Sequence, residues 1–307
     1  MSSHSKPLRL GTRASPLAMA QAVLVRDALC AAHGWADEAI EIVPVVASGD
    51  KILDRALADV GGKALWTREL DAWLGEGAID FAVHSMKDVE TIRPDAFTIA
   101  AMLPRADVRD RLLGAASIAE IPKSGRVGTS APRRTAQLLR MRPDLEITLF
   151  RGNVNTRLAK LANGDVAATL LAAAGLDRLG MDDVGIPIPI EVMLPAPSQA
   201  AVGIECMAAN AKVVALLGAI NHAETHICVT AERILLAALS ADCQSPVAAL
   251  AVIKANEIWL RAEIYAEDGT EMVQGESRFP AGDLGKPEAL ANTLLAKASP
   301  QLRATFG

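Results

Sequence analysis

Cys243 lies in Leu239-Ser240-Ala241-Asp242-Cys243-Gln244-Ser245-Pro246, a turn-rich break between a helix-like and a strand-like run. A thiol in such a loop is placed for covalent chemistry rather than for packing. Cys30 and Cys206 sit among apolar neighbours and read as small buried hydrophobes. Far upstream, Phe81-Ala82-Val83-His84-Ser85-Met86-Lys87-Asp88 ends an apolar strand with a base and an acid. Asp88 can serve as a general acid or as the partner of Lys87 in an ion pair. Arginines stand between these points, Arg133, Arg134, Arg151, Arg157 and Arg178, and Arg13 stands upstream of both. A planar guanidinium fork suits carboxylate or phosphate. One charge-assisted contact contributes about 1.5–3 kcal/mol, so the set suits a ligand with many carboxylates.

These side chains recur beside small polar residues where strands end and helices begin: Thr12 to Ser15, Ser85 to Asp88, Thr129-Ser130, and Arg151-Gly152-Asn153. Ligands of open parallel sheets bind there, beyond the carboxyl ends of strands and at helix N-termini. The recurrence predicts a cleft between two α/β domains, lined by guanidinium and backbone N–H groups. The plainer alternatives are solvated helix residues for Arg133, Arg134 and Arg157 and a hydrogen-bonded strand-end histidine for His84. Ser85 and Lys87 on one strand face make a weak hydrolase pair. His222 and His226 share a helix face without a third ligand, so no metal site is expected. Gly61-Gly62-Lys63 lacks the phosphate-loop spacing and reads as a mobile loop.

The elements that position these residues alternate. Leu8 to Thr12 reads as a strand, and Ser15-Pro16 opens a helix with Ser15 as its cap. Leu17, Ala20, Leu24 and Ala28 share one face of that helix. A strand over 40–46, a helix capped near Thr67 and a strand from Ile79 to Val83 follow, implying a mostly parallel sheet. After 105–111 the pattern restarts. Arg126-Val127-Gly128-Thr129-Ser130-Ala131-Pro132 echoes Leu10 to Pro16, and strands at 147–150 and 167–171 bracket a further helix. The last third changes character: a helix from Glu224 to Leu239, an alternating strand from Ile258 to Tyr265, a hairpin signal at Asp268-Gly269, and a helix from Pro287 to Ala298.

At 307 residues the chain is too long for one ordinary core. Its net charge of −5 argues against a general nucleic-acid binder, so an anionic ligand needs a local cluster of cations. Four cysteines without Cys-x-x-Cys spacing give neither a disulfide framework nor a zinc knuckle. Met1 to Lys6 lack the apolar core of a secretory signal, and no apolar run reaches membrane-span length. A cytoplasmic, reduced protein is expected. The absence of heptads or an apolar appendage favours a monomer.

Val83 to Val89, Arg151 to Leu158, Ala174-Gly175-Leu176-Asp177-Arg178-Leu179-Gly180 and Cys243-Gln244-x-Pro246 together resemble the porphobilinogen deaminase (hydroxymethylbilane synthase) family, in the family's order. The resemblance runs from about Leu8 into the last third. It implies two α/β domains like type II periplasmic binding proteins, 1–102 with 202–220 and 103–201, plus a small α+β domain with an antiparallel sheet, 221–307. It implies a dipyrromethane cofactor joined by a thioether to Cys243. Four porphobilinogen molecules would be added head to tail with loss of ammonia, and hydrolysis would release 1-hydroxymethylbilane for tetrapyrrole biosynthesis. By the same match Asp88 is the acid/base group, beside a cationic azafulvene-like species. Lys87, Ser85, Asp88, Thr129, Ser130, Arg133, Arg134 and Gly152 would hold the cofactor, and Arg13, Ser15, Arg151, Arg157 and Arg178 the substrate.

The chain departs from the family pattern at several positions. Ala131-Pro132 replaces Ser-Leu, and Glu90 replaces a common Pro. Pro197-Ser198-Gln199-Ala200-Ala201 replaces a Gly-Gln-Gly segment near the interdomain crossover, which should stiffen it. Ala241-Asp242 stands where Gly-Gly is common, and a carboxylate beside the cysteine disfavours a thiolate. A non-catalytic, periplasmic-binding-type polycarboxylate binder would also explain the arginines, but leaves Cys243 and Asp88 idle. A cysteine-nucleophile enzyme of another kind lacks an identifiable His–Asn partner.

Overall fold

The computed structural model describes residues 6–45 and 67–306. Val46, at the end of the expected strand over 40–46, and Gly61-Gly62-Lys63 lie outside them. Within this range two compact units form, Met1–Ala106 with Ala201–His226 and Asp107–Ala200 with Ile227–Gly307.

In the first unit the chain runs through β1 (Leu8–Arg13), α1 (Pro16–His33), β2 (Ile40–Val45), α2 (Arg68–Gly75), β3 (Phe81–Ser85) and β4 (Phe97–Met102). Ser15 caps α1 by accepting the Ala18 N–H, with Pro16 in the first turn, as the Ser-Pro signal predicts. The buried face of α1 differs from the expected one: it carries Ala22, Val25 and Leu29 against Leu10 and Phe81, while Leu24 is 45% exposed. The helix is rich in alanine and leucine on both stripes, so apolar spacing alone does not select between them. Thr67 precedes α2 without a side-chain cap bond; its hydroxyl instead donates to Glu90 at 2.6 Å.

In the second unit follow β5 (Asp110–Leu113), β6 (Arg126–Gly128), α3 (Pro132–Met141), β7 (Glu146–Thr148), α4 (Val154–Ala162), β8 (Ala168–Ala172), α5 (Ala173–Asp177) and β9 (Ile186–Pro187). The chain then supplies β10 (Val202–Met207) and α6 (Ala211–Gly218) to the first unit. The first sheet has the order β2-β1-β3-β10-β4 and the second β7-β6-β8-β5-β9. β1 and β6 occupy the same place, so the Gly-Thr…Pro echo marks equivalent strand-to-helix turns. In each sheet four of the five strands run the same way, as the alternation of strands and helices implies, and one runs against them. β10 runs antiparallel to β3 and β4, and β5 antiparallel to β8 and β9. Both faces of β10 and β5 are buried, so their composition carries no sign of direction.

The chain closes with α7 (Ala223–Ala238), β11 (Val247–Lys254), β12 (Glu257–Tyr265), β13 (Met272–Pro280), α8 (Gly285–Lys297) and α9 (Pro300–Arg303). β11, β12 and β13 form an antiparallel sheet. Alternate β11 residues serve two interfaces. Val247, Ala249 and Ala251 pack with Leu235 of α7 and Leu294 of α8, and Ala248 and Leu250 with Ala136 of α3 and Leu194. Because both faces are covered, β11 reads as an unbroken apolar run. The turn to β12 uses Ala255 and Asn256, both left-handed (φ 50° and 65°), as a two-residue hairpin requires. Among the described residues no single helix is long and apolar enough to cross a membrane.

Candidate active site

In the first unit, β3 ends at Ser85 rather than Val83, and Met86–Asp88 form a single 3-10 turn. Ser85 and Lys87 therefore do not share a strand face. The Met86 N–H donates to the Ala201 carbonyl at 3.0 Å, which fixes the start of the turn. Lys87 and Asp88 are half-buried. A small cavity at this place is lined by Arg13, Gln21, His84, Ser85 and Asp88 among others. The Ser85 hydroxyl and the Gln21 amide exchange hydrogen bonds of 2.9 and 3.1 Å. Ser15 spends its hydroxyl on the α1 cap at 3.3 Å.

A charge cluster absent from the sequence reading stands behind this turn. Glu205 of β10 is fully buried, accepting His84 Nε2 at 3.0 Å and Arg93 Nε at 2.8 Å. Arg93 also meets Asp71 and Glu90, so the Glu90 departure has a structural reason. Burial alone would raise the Glu205 carboxyl, but His84 and Arg93 more than offset it and hold it at about 2. His84 is the hydrogen-bonded strand-end histidine of the plainer alternative. The legible signal for Glu205 was a lone carboxylate inside Val202 to Met207, an otherwise apolar strand.

In the second unit, Thr129 is buried and its Oγ1 accepts the Ala131 N–H at 3.2 Å, while Ser130 is exposed. Ala131 leaves α3 without a side-chain cap. Arg133 and Arg134 are not solvated: they are 4% and 5% exposed and both meet Asp110, at 2.8 and 2.7 Å. Gly152 has φ 119°, and a Cβ there would stand 2.7 Å from Thr156 Cγ2, so the Arg151–Arg157 turn requires glycine. Arg157 Nε donates to the Gly152 carbonyl at 3.0 Å, and Asn153 caps α4 through the Thr156 N–H. Arg151 is 8% exposed. Arg178 donates to the Ala200 carbonyl at 2.6 Å, and burial lowers its pKa.

Cys243 is exposed, while Cys30, Cys206 and Cys228 are buried. Burial pushes the Cys206 thiol up to about 11 and raises that of Cys30, as for inert core thiols. The cysteine loop is a tight turn. The Ser245 N–H donates to the Asp242 carbonyl at 3.1 Å, and the Gln244 N–H to Asp242 Oδ1 at 2.8 Å. The Asp242 N–H in turn donates to Ser245 Oγ at 3.0 Å. Asp242, a departure from the family pattern, thus shapes the turn that presents the thiol. No group of three metal-ligating side chains occurs among the described residues.

Two α/β sheets with cations at their strand ends, an acid on a turn and an exposed thiol are the parts of an α/β enzyme. Comparison with known proteins agrees. Residues 8–215 match the family model described as "Porphobilinogen deaminase, dipyromethane cofactor binding domain", and residues 226–299 its C-terminal domain. A porphobilinogen deaminase of Sphingopyxis alaskensis is 58% identical over 306 residues, covering 98% of this chain and 96% of that protein. One of Paracoccus denitrificans is 49% identical over 281 residues, 90% of each. Among solved structures, the periplasmic VFT2 domain of Bordetella pertussis BvgS covers 70% of this chain and 86% of its own, at 13% identity and TM-score 0.39. The chain belongs to the porphobilinogen deaminase family. It is a transferase of tetrapyrrole biosynthesis with a dipyrromethane-binding domain.

Proposed function

We propose that this chain joins four porphobilinogen molecules head to tail, with loss of ammonia, on a dipyrromethane held by Cys243, and releases 1-hydroxymethylbilane. The observation that carries this is the exposure of Cys243, alone among the four cysteines, on a turn closed by Asp242 and Ser245. The residues present fit the group: an accessible thiol for the thioether, and a surplus of guanidinium groups for its carboxylates. When bound, the dipyrromethane supplies the pyrrole carbon to which the first substrate is joined.

Asp88 serves as the acid/base residue. It delivers a proton to the departing amine, and as a carboxylate it then faces the positive charge that develops. Arg13, Ser15, Arg151, Arg157 and Arg178 hold substrate carboxylates. Lys87, Ser85, Thr129, Ser130, Arg133, Arg134 and Gly152 hold the cofactor, Gly152 by letting backbone approach closely. In this reading 1–102 with 202–220, 103–201 and 221–307 are the three domains, and the enzyme is a cytoplasmic monomer.

Intact-protein mass spectrometry tests the attachment. Active wild-type protein should exceed its sequence mass by two condensed pyrrole units, resistant to reductant, and porphobilinogen should add single units in a ladder. Cys243→Ser should lose the whole increment, because a hydroxyl is a far weaker nucleophile than a thiolate. An unmodified active protein, or an increment that survives the substitution, would overturn the reading.

A further inference from the structure

Asp110 appears in no sequence reading of the site, yet it organises two of the site's cations. It lies on β5 and is 1% exposed. Its Oδ2 meets Arg133 Nη1 at 2.8 Å, and its Oδ1 accepts Arg134 Nη2 at 2.7 Å and Gln199 Nε2 at 2.9 Å. Gln137 Oε1 and the Leu194 carbonyl share Arg133 Nη1 with Asp110, Gln199 Oε1 lies 3.5 Å from its Nη2, and the Leu170 carbonyl accepts Arg134 Nη1. The Nε of each arginine is buried without an acceptor. Burial alone would raise the Asp110 carboxyl, but Arg133 and Arg134 more than offset it and hold it well below the usual range.

Two cations against one anion leave a net positive charge in a water-poor place. Charges are not buried in this way unless paired and hydrogen-bonded, and removing the shared partner leaves both cations uncompensated. Position sharpens the point. Both arginines lie in the first turn of α3, where the helix dipole already disfavours cations and no capping side chain intervenes. A carboxylate that bridges two rigid forks fixes the plane of each. Gln199 extends the arrangement to the crossover segment, where it also donates to the Val108 carbonyl at 2.7 Å.

We propose that Asp110 is a positioning residue for cofactor attachment: it aims the Arg133–Arg134 pair and sets at one the net positive charge that the pair offers to the dipyrromethane carboxylates. The proposal rests on the cofactor reading above. A lone carboxylate is the economical device for it. Without the counter-ion the two guanidinium groups repel and turn toward other acceptors, and a second carboxylate would cancel the attraction.

The test compares full-length wild type, Asp110→Asn, Arg134→Gln and the double variant. Each is prepared without cofactor in a host that makes no porphobilinogen and is then given porphobilinogen. Two quantities are read: thermal stability, and the rate at which the folded fraction gains the two-pyrrole increment by intact mass. Asp110→Asn should lose stability, and its folded fraction should load about tenfold to a hundredfold more slowly, the worth of one charge-assisted contact. The double variant restores the net charge of one and should recover both quantities above Asp110→Asn. A merely structural Asp110 would lower the melting temperature and leave the loading rate of folded protein unchanged; that result sinks the proposal. So does a double variant no better than Asp110→Asn, including one that fails to fold. Wild type that never gains the increment, or Cys243→Ser that gains it, instead refutes the cofactor reading.

Discussion

In the proposed acid/base role, Asp88 first gives a proton and then faces a cation. It is half-buried, at the end of a turn fixed by the Met86–Ala201 backbone bond, and it lines the same cavity as Arg13. Asp88→Asn keeps the shape and removes the titratable proton. Turnover should fall by about 10²–10⁴, while circular dichroism and the cofactor mass stay as in wild type. Near-normal turnover in that variant would remove Asp88 from the acid/base role. At this scale the sequence was informative wherever a reactive group stood apart from its neighbours, as Cys243 does in its turn. It was least informative where a charge meets its partners only on folding, as Asp110 at the start of β5 and Glu205 within β10 do. Their partners, Arg133, Arg134, His84 and Arg93, are distant in sequence, and only folding brings them together.

Among the elements, the crossover at 195–201 shows what the family departures cost. Ser198 and Ala200 lie in the segment that departs from the family pattern, and their backbones are left-handed, at φ 63° and 71°. The segment cannot relax, because each residue is held. The Ser198 N–H donates to Glu232 at 2.6 Å, the Gln199 amide to Asp110, and the Ala200 carbonyl accepts Arg178. The Ser198 hydroxyl is also buried without a partner. A non-glycine residue in this region costs about 1–3 kcal/mol, against about 0.4–1 kcal/mol of unfolded-state entropy that glycine returns to the chain. Ser198→Gly and Ala200→Gly should therefore each raise stability by roughly 1 kcal/mol, read as a higher urea midpoint. A lower midpoint in either would show that the conformation is not strained. The expected stiffening thus appears as strain in a clamped segment. Strand and helix positions were legible from capping and periodicity, as at Ser15-Pro16. Strand direction was not, because β10 returns from beyond the second sheet to enter the first.

Over the whole molecule, buried carboxylates tie stability to pH. Glu205 is held at about 2 against an ordinary 4.5, and Asp110 is depressed as well, both by cations that oppose the effect of burial. A carboxyl with a lowered folded-state pKa binds its proton more readily in the unfolded chain, so it stabilises the fold above its unfolded pKa. That contribution is lost as pH falls toward the folded value. For Glu205 it is on the order of 3 kcal/mol above pH ~4.5, declining toward pH ~2. Asp71, raised chiefly by burial, opposes the trend. The protein should lose stability steeply between about pH 4.5 and pH 2, with no comparable loss from these carboxylates between pH 5 and 7. Glu205→Gln removes the titrating group; its amide oxygen can replace Oε2 for His84 and Arg93 Nη2, while its amide nitrogen faces Arg93 Nε. Its urea midpoint should lie well below that of wild type at pH 7, and the gap should narrow at pH 3, where the Glu205 carboxyl of the unfolded wild-type chain has taken up its proton. A gap of constant size at both pH values would mean that the loss of acid stability arises elsewhere, and that the His84–Glu205–Arg93 cluster holds the first sheet by packing rather than by charge.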